Sequence, residues 1–139
     1  MPDDILLNKV AIIERCGARV RAVYGGDSAN LLDHLTLQDS ILLNLQRACE
    51  AAIDLAMHLV SARRLGIPQE SREAFDLLRE AGLLSPQLSE TMRRMVGFRN
   101  VAVHDYRKLD LAIVQSILDR HLDDFLAFAR RALSLPAES

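Results

Sequence analysis

The stretch at residues 39–60 constrains the fold most, because its apolar residues recur at helical rather than strand spacing. These positions lie four, three, four, three and four residues apart, at Ile41, Leu45, Ala48, Ala52, Leu55 and Leu59. Leu42, Cys49 and Ala56 widen the stripe. The pattern predicts a long amphipathic helix that begins near residues 36–39 and ends before Gly66-Ile67-Pro68.

Capping and turn residues predict four further helices around this one. Pro2-Asp3-Asp4 favours the start of a first helix, and Gly25-Gly26-Asp27 ends it near Tyr24. The remaining expected segments are a connection at residues 25–35 with a helical turn at residues 31–34, a short helix over about residues 71–81, a fourth helix from Ser85-Pro86, and a last helix over about residues 110–133.

The fourth and last helices each carry an apolar stripe that should face the core. The fourth helix has Leu88, Met92, Met95, Arg99, Ala102 and Tyr106 in register, and the last helix has Leu111, Val114, Leu118, Phe125 and Ala129. No useful length of sequence alternates with period two. We therefore predict an all-α fold, an antiparallel bundle of four long helices plus a short one.

Length and composition fit a single domain over residues 1–139. The formal net charge of −2 argues against a generally basic nucleic-acid-binding surface. Cys16 and Cys49 match neither a metal-ligand spacing nor a disulfide framework. Since no secretory segment follows Met1, we expect reduced thiols in the cytoplasm, and no apolar run is long enough to span a membrane.

Arg99 is the anomaly in the fourth helix, because the stripe that buries Met95 would also bury its guanidinium. A buried charge needs a partner, a wet cleft or a subunit interface. The simpler interpretation is that Arg99 snorkels or pairs with Asp39, Asp54 or Asp105. On a straight helix His104, five residues later, would lie about 140° from Arg99 around the axis. The two would converge only if the helix ended near Val103 or if a second copy supplied one of them.

The local charge favours a site that attracts phosphates, although a solvated basic face stays open. Five basic residues, Arg93, Arg94, Arg99, Arg107 and Lys108, accompany one acid, Asp105, between residues 93 and 108. Other candidates are weaker. Asp54 and His58 are expected to form a solvated pair on a helix face, His121 to lie on the surface, and His34 to lie in a connection. The sequence has no metal-ligand or nucleotide-loop motif.

Arg99-Asn100, three residues, His104 and then Tyr106 resemble the R-x4-H-x-Y signature of HepT-type toxins. These are small HEPN-domain ribonucleases of toxin–antitoxin modules. The likeness extends over most of the chain, including DSILLNLQRACEAAIDLAMHLV and LGIPQESREAFDLLREAGLLSPQLSETMRRMVGFRN. It implies a HEPN-like homodimer that cleaves RNA without metal or cofactor at the dimer cleft, and a minimal nucleotidyltransferase antitoxin of the MntA type that transfers AMP to Tyr106.

RNA chemistry gives these residues roles. His104 would act as base or acid, and Arg99 would hold phosphate oxygens with its planar donors. Asn100 would orient either group or cap the helix. Because one histidine cannot readily make both proton transfers, two copies of His104 and Arg99 around a two-fold axis would complete the site. Tyr106, otherwise a core or interface aromatic, would be the AMPylation acceptor.

Two alternatives remain at this point. The chain could be a non-catalytic HEPN-like subunit that helps a nucleotidyltransferase hold nucleotide or substrate, with Arg99 and His104 binding phosphates. It could also be a helical interaction protein with no site. Growth arrest on expression that Arg99→Ala and His104→Ala abolish would separate the toxin from both.

Overall fold

The computed structural model describes residues 3–136, so the predicted contribution of Pro2 to the first helix lies outside the described residues. Within that range the chain is helical. The helices are α1 (Asp4–Tyr24), α2 (Ala29–Leu32), α3 (Leu35–Ala62), α4 (Ser71–Glu80), α5 (Pro86–His104), α6 (Leu111–Arg120) and α7 (Leu122–Ser134), with a short 3-10 helix at Tyr106–Lys108. The predicted all-α fold is confirmed.

The residues that were predicted to start and stop helices are found at the helix ends. Asp3 Oδ1 accepts a hydrogen bond from the Leu6 amide at 3.1 Å and caps α1. Gly25, at φ 60°, ends the same helix by donating its amide to the Arg21 carbonyl. Ser85 Oγ accepts from the Leu88 amide at 3.1 Å, with Pro86 at the first position of α5. The helical turn expected at residues 31–34 is α2, two residues earlier.

α3 forms the centre of the bundle because its broad apolar stripe meets several neighbours. It contacts α1, α2, α4, α5 and α7, and α1 also packs against α7. Every one of these helices contributes a fully buried core side chain: Ile13, Leu31, Leu45, Phe75, Met92 and Phe128. Phe75 and Phe128 meet edge to face, with ring centroids 5.4 Å apart. This packing fixes the position of α5 against α3 and α4.

The prediction of one long last helix is wrong. The chain bends at His121, whose backbone has φ −125° and ψ 2°, and α7 starts at the next residue. His121 Nδ1 lies 2.9 Å from Asp124 Oδ2 in the first turn of α7. The break lets α6 contact α2 while α7 packs on α1. The sequence did not predict this bend, because Leu118, Leu122 and Phe125 keep the apolar spacing of a continuous helix across it.

Candidate functional site

Arg99 lies where the apolar stripe of α5 predicts, next to buried Met95 and Ala102. Its Nη2 donates a hydrogen bond to Ser71 Oγ, 3.1 Å away, at the start of α4. Its Nε is buried and has no hydrogen-bond partner within residues 3–136. Arg99 also lies close enough to Cys49 of α3 that its positive charge opposes the rise in the Cys49 thiol pKa that burial causes. The guanidinium therefore occupies the seam where α3, α4 and α5 meet.

The simpler interpretation of Arg99, pairing with an acid, is not what the structure shows. Among the described residues no carboxylate lies within 4.0 Å of its guanidinium. Each of the three proposed acids contacts another group: Asp39 accepts from Tyr106, Asp54 pairs with Lys9 at 3.1 Å, and Asp105 pairs with Lys108 at 3.6 Å. Ser71, which the sequence suggested only as a helix start, is the partner that was missed.

His104 is the last residue of α5 and is exposed. In the described chain its ring has no hydrogen bond and no ion pair. An accessible, unpartnered imidazole at this position can accept or donate a proton.

One chain does not bring Arg99 and His104 together. α5 continues through His104 without a break, so the two side chains leave it about 140° apart. α5 ends one residue beyond Val103, about where the alternative placed its end, but both residues still lie within the helix, so this ending does not turn His104 toward Arg99. Asn100 is half-buried and lies between their directions, with no hydrogen bond from its amide within the described residues. Arg99 faces the interior of this protomer, and His104 faces outward.

Tyr106 was expected to extend the α5 stripe, and that expectation is wrong. Asp105, at φ −154° and ψ 78°, ends α5, and Tyr106 begins the 3-10 helix beyond it. The side chain is 48% exposed. Its hydroxyl is 3.4 Å from Asp39 Oδ1 on α3, a long hydrogen bond. Partial burial raises the pKa of the Tyr106 phenol, and the negative charge of Asp39 raises it further.

The basic segment at residues 93–108 is less positive than its sequence indicates. Arg93 pairs with Asp76 on α4 at 2.5 Å, and Arg94 pairs with Glu90 at 3.4 Å. Lys108 pairs with Asp105. Asp76 and Glu90 lie outside residues 93–108, so counting charges along the segment missed the acids of two of these three ion pairs. Arg99 and Arg107 remain without a carboxylate among the described residues.

The other candidate residues have structural contacts. The predicted Asp54–His58 pair is wrong, because His58 Nε2 lies 2.6 Å from Asp3 Oδ2 and Asp54 pairs with Lys9. That hydrogen bond from His58 lowers the pKa of Asp3. His34 caps α3, and the free thiols of Cys16 and Cys49 are buried. Residues 3–136 contain no group of His, Cys, Asp and Glu that could hold a metal ion, and no helix there could cross a membrane.

Comparison with known proteins identifies close relatives. The sequence model of a family described as "Ribonuclease HepT-like" matches residues 13–132. The chain is 49% identical over 126 residues to the mRNA nuclease HepT of Shewanella oneidensis, covering 91% of this chain and 94% of that protein. It is 31% identical over 87 residues to the tRNA nuclease HepT of Aphanizomenon flos-aquae, covering 60% and 59%.

Solved structures of HEPN toxins have the same fold as this chain. A rebuilt structure of the tri-AMPylated Shewanella oneidensis HEPN toxin in complex with MNT antitoxin matches with a TM-score of 0.89. Sequence identity is 46%, and the match covers 96% of this chain and all of that one. A toxin–antitoxin structure with AMP-PNP matches with the same TM-score and coverage.

Proposed function

The chain belongs to the HepT-like ribonuclease family, and from that premise we propose that it is an endoribonuclease and the toxin of a toxin–antitoxin module. The proposal further assigns cleavage without a metal ion, in the cytoplasm, to Arg99 and His104. The observation that carries it is the exposed imidazole of His104 at the end of α5, free of any partner in the described chain and five residues after a half-buried arginine.

The chemistry needs no cofactor, because RNA supplies its own nucleophile. A base removes the proton of the 2′-OH, whose oxygen attacks the adjacent phosphorus, and an acid protonates the departing 5′-oxygen. His104 serves one of these steps. The guanidinium of Arg99 stabilises the negative charge that builds up on the phosphate oxygens. Asn100 would orient either the His104 imidazole or the Arg99 guanidinium.

The working site needs two copies of the chain. Because α5 holds Arg99 and His104 about 140° apart, one protomer cannot present both to one phosphate. A two-fold axis at the end of α5 would bring two His104 rings into one groove, one neutral and one protonated. Val101, Val103 and Tyr106, which are 39%, 46% and 48% exposed, supply apolar surface there for a second copy to cover.

Cleavage of RNA by the purified protein in EDTA tests the activity. We expect wild type to cut mRNA or tRNA with the chelator present and His104→Ala to leave both intact. His58→Ala is the matched control, because it removes a histidine whose contact is with Asp3, away from α5. Cutting that requires added metal would contradict the mechanism. Intact RNA together with harmless expression of wild type would favour the non-catalytic nucleotidyltransferase subunit.

We also propose that a minimal nucleotidyltransferase neutralises the toxin by AMPylating Tyr106. The phenol oxygen would attack the α-phosphorus of ATP, the bond to pyrophosphate would break, and the phenol proton would pass to solvent or a base. Tyr106 is exposed, lies two residues after His104, and its hydroxyl has only one long hydrogen bond within residues 3–136. An attached AMP would place a negative phosphodiester and an adenosine where the RNA phosphate must bind.

A further inference from the structure

A close contact joins Arg72 of α4 to Gly97 of α5. A Cβ atom built at Gly97 would lie 3.1 Å from Arg72 Nη2, so this guanidinium lies directly across the backbone of α5. Gly97 is the one glycine in α5, and glycine inside a helix is less stable than alanine. Because Gly97 has no Cβ, the Arg72 guanidinium can approach the backbone of α5 this closely. Neither residue belongs to the R-x4-H-x-Y motif, so the sequence pattern alone did not point to them.

Arg72 is a half-buried cation with no acidic partner. No carboxylate lies within 4.0 Å of its guanidinium in the part of the chain that the structure describes. The adjacent acid Glu73 instead accepts a hydrogen bond from the Gln69 amide at 2.8 Å. Arg93, one turn before Gly97, is neutralised by Asp76. Arg72 therefore keeps its positive charge available to a ligand.

Arg72 lies on the face of α5 that carries His104. Gly97 and His104 are seven residues apart, so their directions differ by only about 20° and they are about 10 Å apart along the axis. Arg99, two residues from Gly97, points about 160° away from that direction. Within one protomer, the arginine on the His104 face is thus Arg72 and not Arg99.

We propose that Arg72 binds a backbone phosphate of the RNA strand, next to but distinct from the phosphate cleaved at His104. This inference rests on the proposed ribonuclease function. A strand that enters at His104 and follows the exposed face of α5 passes Gly97, where the guanidinium presents its planar donors. Phosphate contacts fix the register of a strand without reading its sequence, so Arg72 is a binding residue without base preference.

Salt-dependent RNA binding tests the proposal. A single-stranded RNA oligonucleotide is titrated into the full chain carrying His104→Ala, which leaves the RNA uncut. We expect Arg72→Ala to weaken binding about tenfold, as for the loss of one charge-assisted hydrogen bond. The slope of log affinity against log salt should become shallower by about 0.7 for each phosphate that the variant no longer binds. Arg72→Lys should keep the slope, because it keeps the charge.

Arg79→Ala is the matched control, since it removes the same charge from the same helix. Arg79 lines a pocket together with Asp76, Glu80 and Glu90, whose negative charges would repel an RNA phosphate there, so its removal should not weaken binding. With cleavage-competent protein, Arg72→Ala should raise KM and leave kcat near that of wild type. Equal binding by Arg72→Ala and Arg79→Ala would overturn the inference while leaving the proposed ribonuclease intact. RNA that fails to bind any variant, and is not cut by wild type, would overturn both.

Gly97→Ala tests whether the position of the Arg72 guanidinium, as well as its charge, matters for RNA binding. The new Cβ would lie 3.1 Å from Arg72 Nη2, so the guanidinium must shift by a few tenths of an ångström while the helix gains propensity; we expect a small loss of RNA affinity without a loss of thermal stability. Arg72→Ala removes the displaced group, so Gly97→Ala should have no further effect on RNA binding in that background. An equal loss of affinity with and without Arg72 would mean that Gly97 acts independently, and the inference would fail.

Discussion

Arg99 and Ser71 join α5 to α4 by a hydrogen bond of 3.1 Å from Nη2 to Oγ, while the Arg99 Nε is buried without a partner among residues 3–136. A half-satisfied guanidinium in a core seam costs stability, because its lost hydration is only partly replaced. Such a cost is expected where function, and not folding, selects the residue.

Replacing Arg99 with methionine should separate folding from function. Arg99→Met fills much of the same volume and removes the unpartnered Nε, so the free energy of unfolding should stay within about 1 kcal/mol of wild type or rise. RNA cleavage and toxicity should be lost, since no Arg99 guanidinium would stabilise the charge that develops on the cleaved phosphate. Urea denaturation and the cleavage assay measure the two effects. A loss of stability above about 3 kcal/mol would show that Arg99 is structural.

Ser71→Ala should loosen Arg99 without removing it. The hydrogen bond to a charged group contributes about 1.5–3 kcal/mol, so we expect a modest fall in stability and a lower kcat. Ser71→Thr keeps the hydroxyl and serves as the control. Cleavage by Ser71→Ala at the wild-type rate would argue that Ser71 does not position Arg99.

A dimer of one wild-type and one His104→Ala chain should be far less active than half of the wild-type dimer. If the two imidazoles share the proton transfers, removing one should lower the rate by about 100- to 10,000-fold. Differently tagged chains, co-expressed and purified over both tags, provide the mixed species. Half the wild-type rate would instead show that each chain works alone.

Tyr106→Phe should remain toxic and escape neutralisation. The substitution keeps the aromatic ring but removes the oxygen that accepts AMP. Co-expression with the cognate transferase, followed by mass spectrometry, measures both outcomes. Tyr24→Phe is the matched control, since the Tyr24 hydroxyl binds Asp119 at 2.6 Å and its side chain is buried. Full protection of Tyr106→Phe by the transferase would rule out the switch.

Asp39→Asn should lower the pKa of Tyr106. Partial burial raises the pKa of the Tyr106 phenol above its ordinary value of 10.0 and the negative charge of Asp39 raises it further, so removing that charge favours the phenolate. The protein has two tyrosines, and burial with the Asp119 contact raises the pKa of Tyr24 to about 12. Ultraviolet titration of the Tyr24→Phe variant isolates Tyr106. An unchanged or higher pKa in Asp39→Asn would contradict the contact.

The helices themselves were largely predictable because their determinants are local. The stripe around Leu45 and Leu55, the Ser85-Pro86 start and the Gly25 stop act over one or two turns, and the structure follows them. The bend at His121 was not predictable in this way. Apolar spacing passes through it unchanged, and only packing against different neighbours separates α6 from α7.

The sequence by itself determined that Arg99 lies in the core-facing stripe, and that His104 would lie about 140° from it if one straight helix carried both, since both follow from the helical repeat. Only the structure showed that α5 does include His104. Only the tertiary structure decided their surroundings. In the folded chain Arg99 donates to the Ser71 hydroxyl on α4, and Arg93 pairs with Asp76. The Arg72 guanidinium lies against Gly97, on the face of α5 that carries His104. Those contacts join residues 17 to 28 positions apart, and they depend on how α4 and α5 pack, which no local pattern specifies.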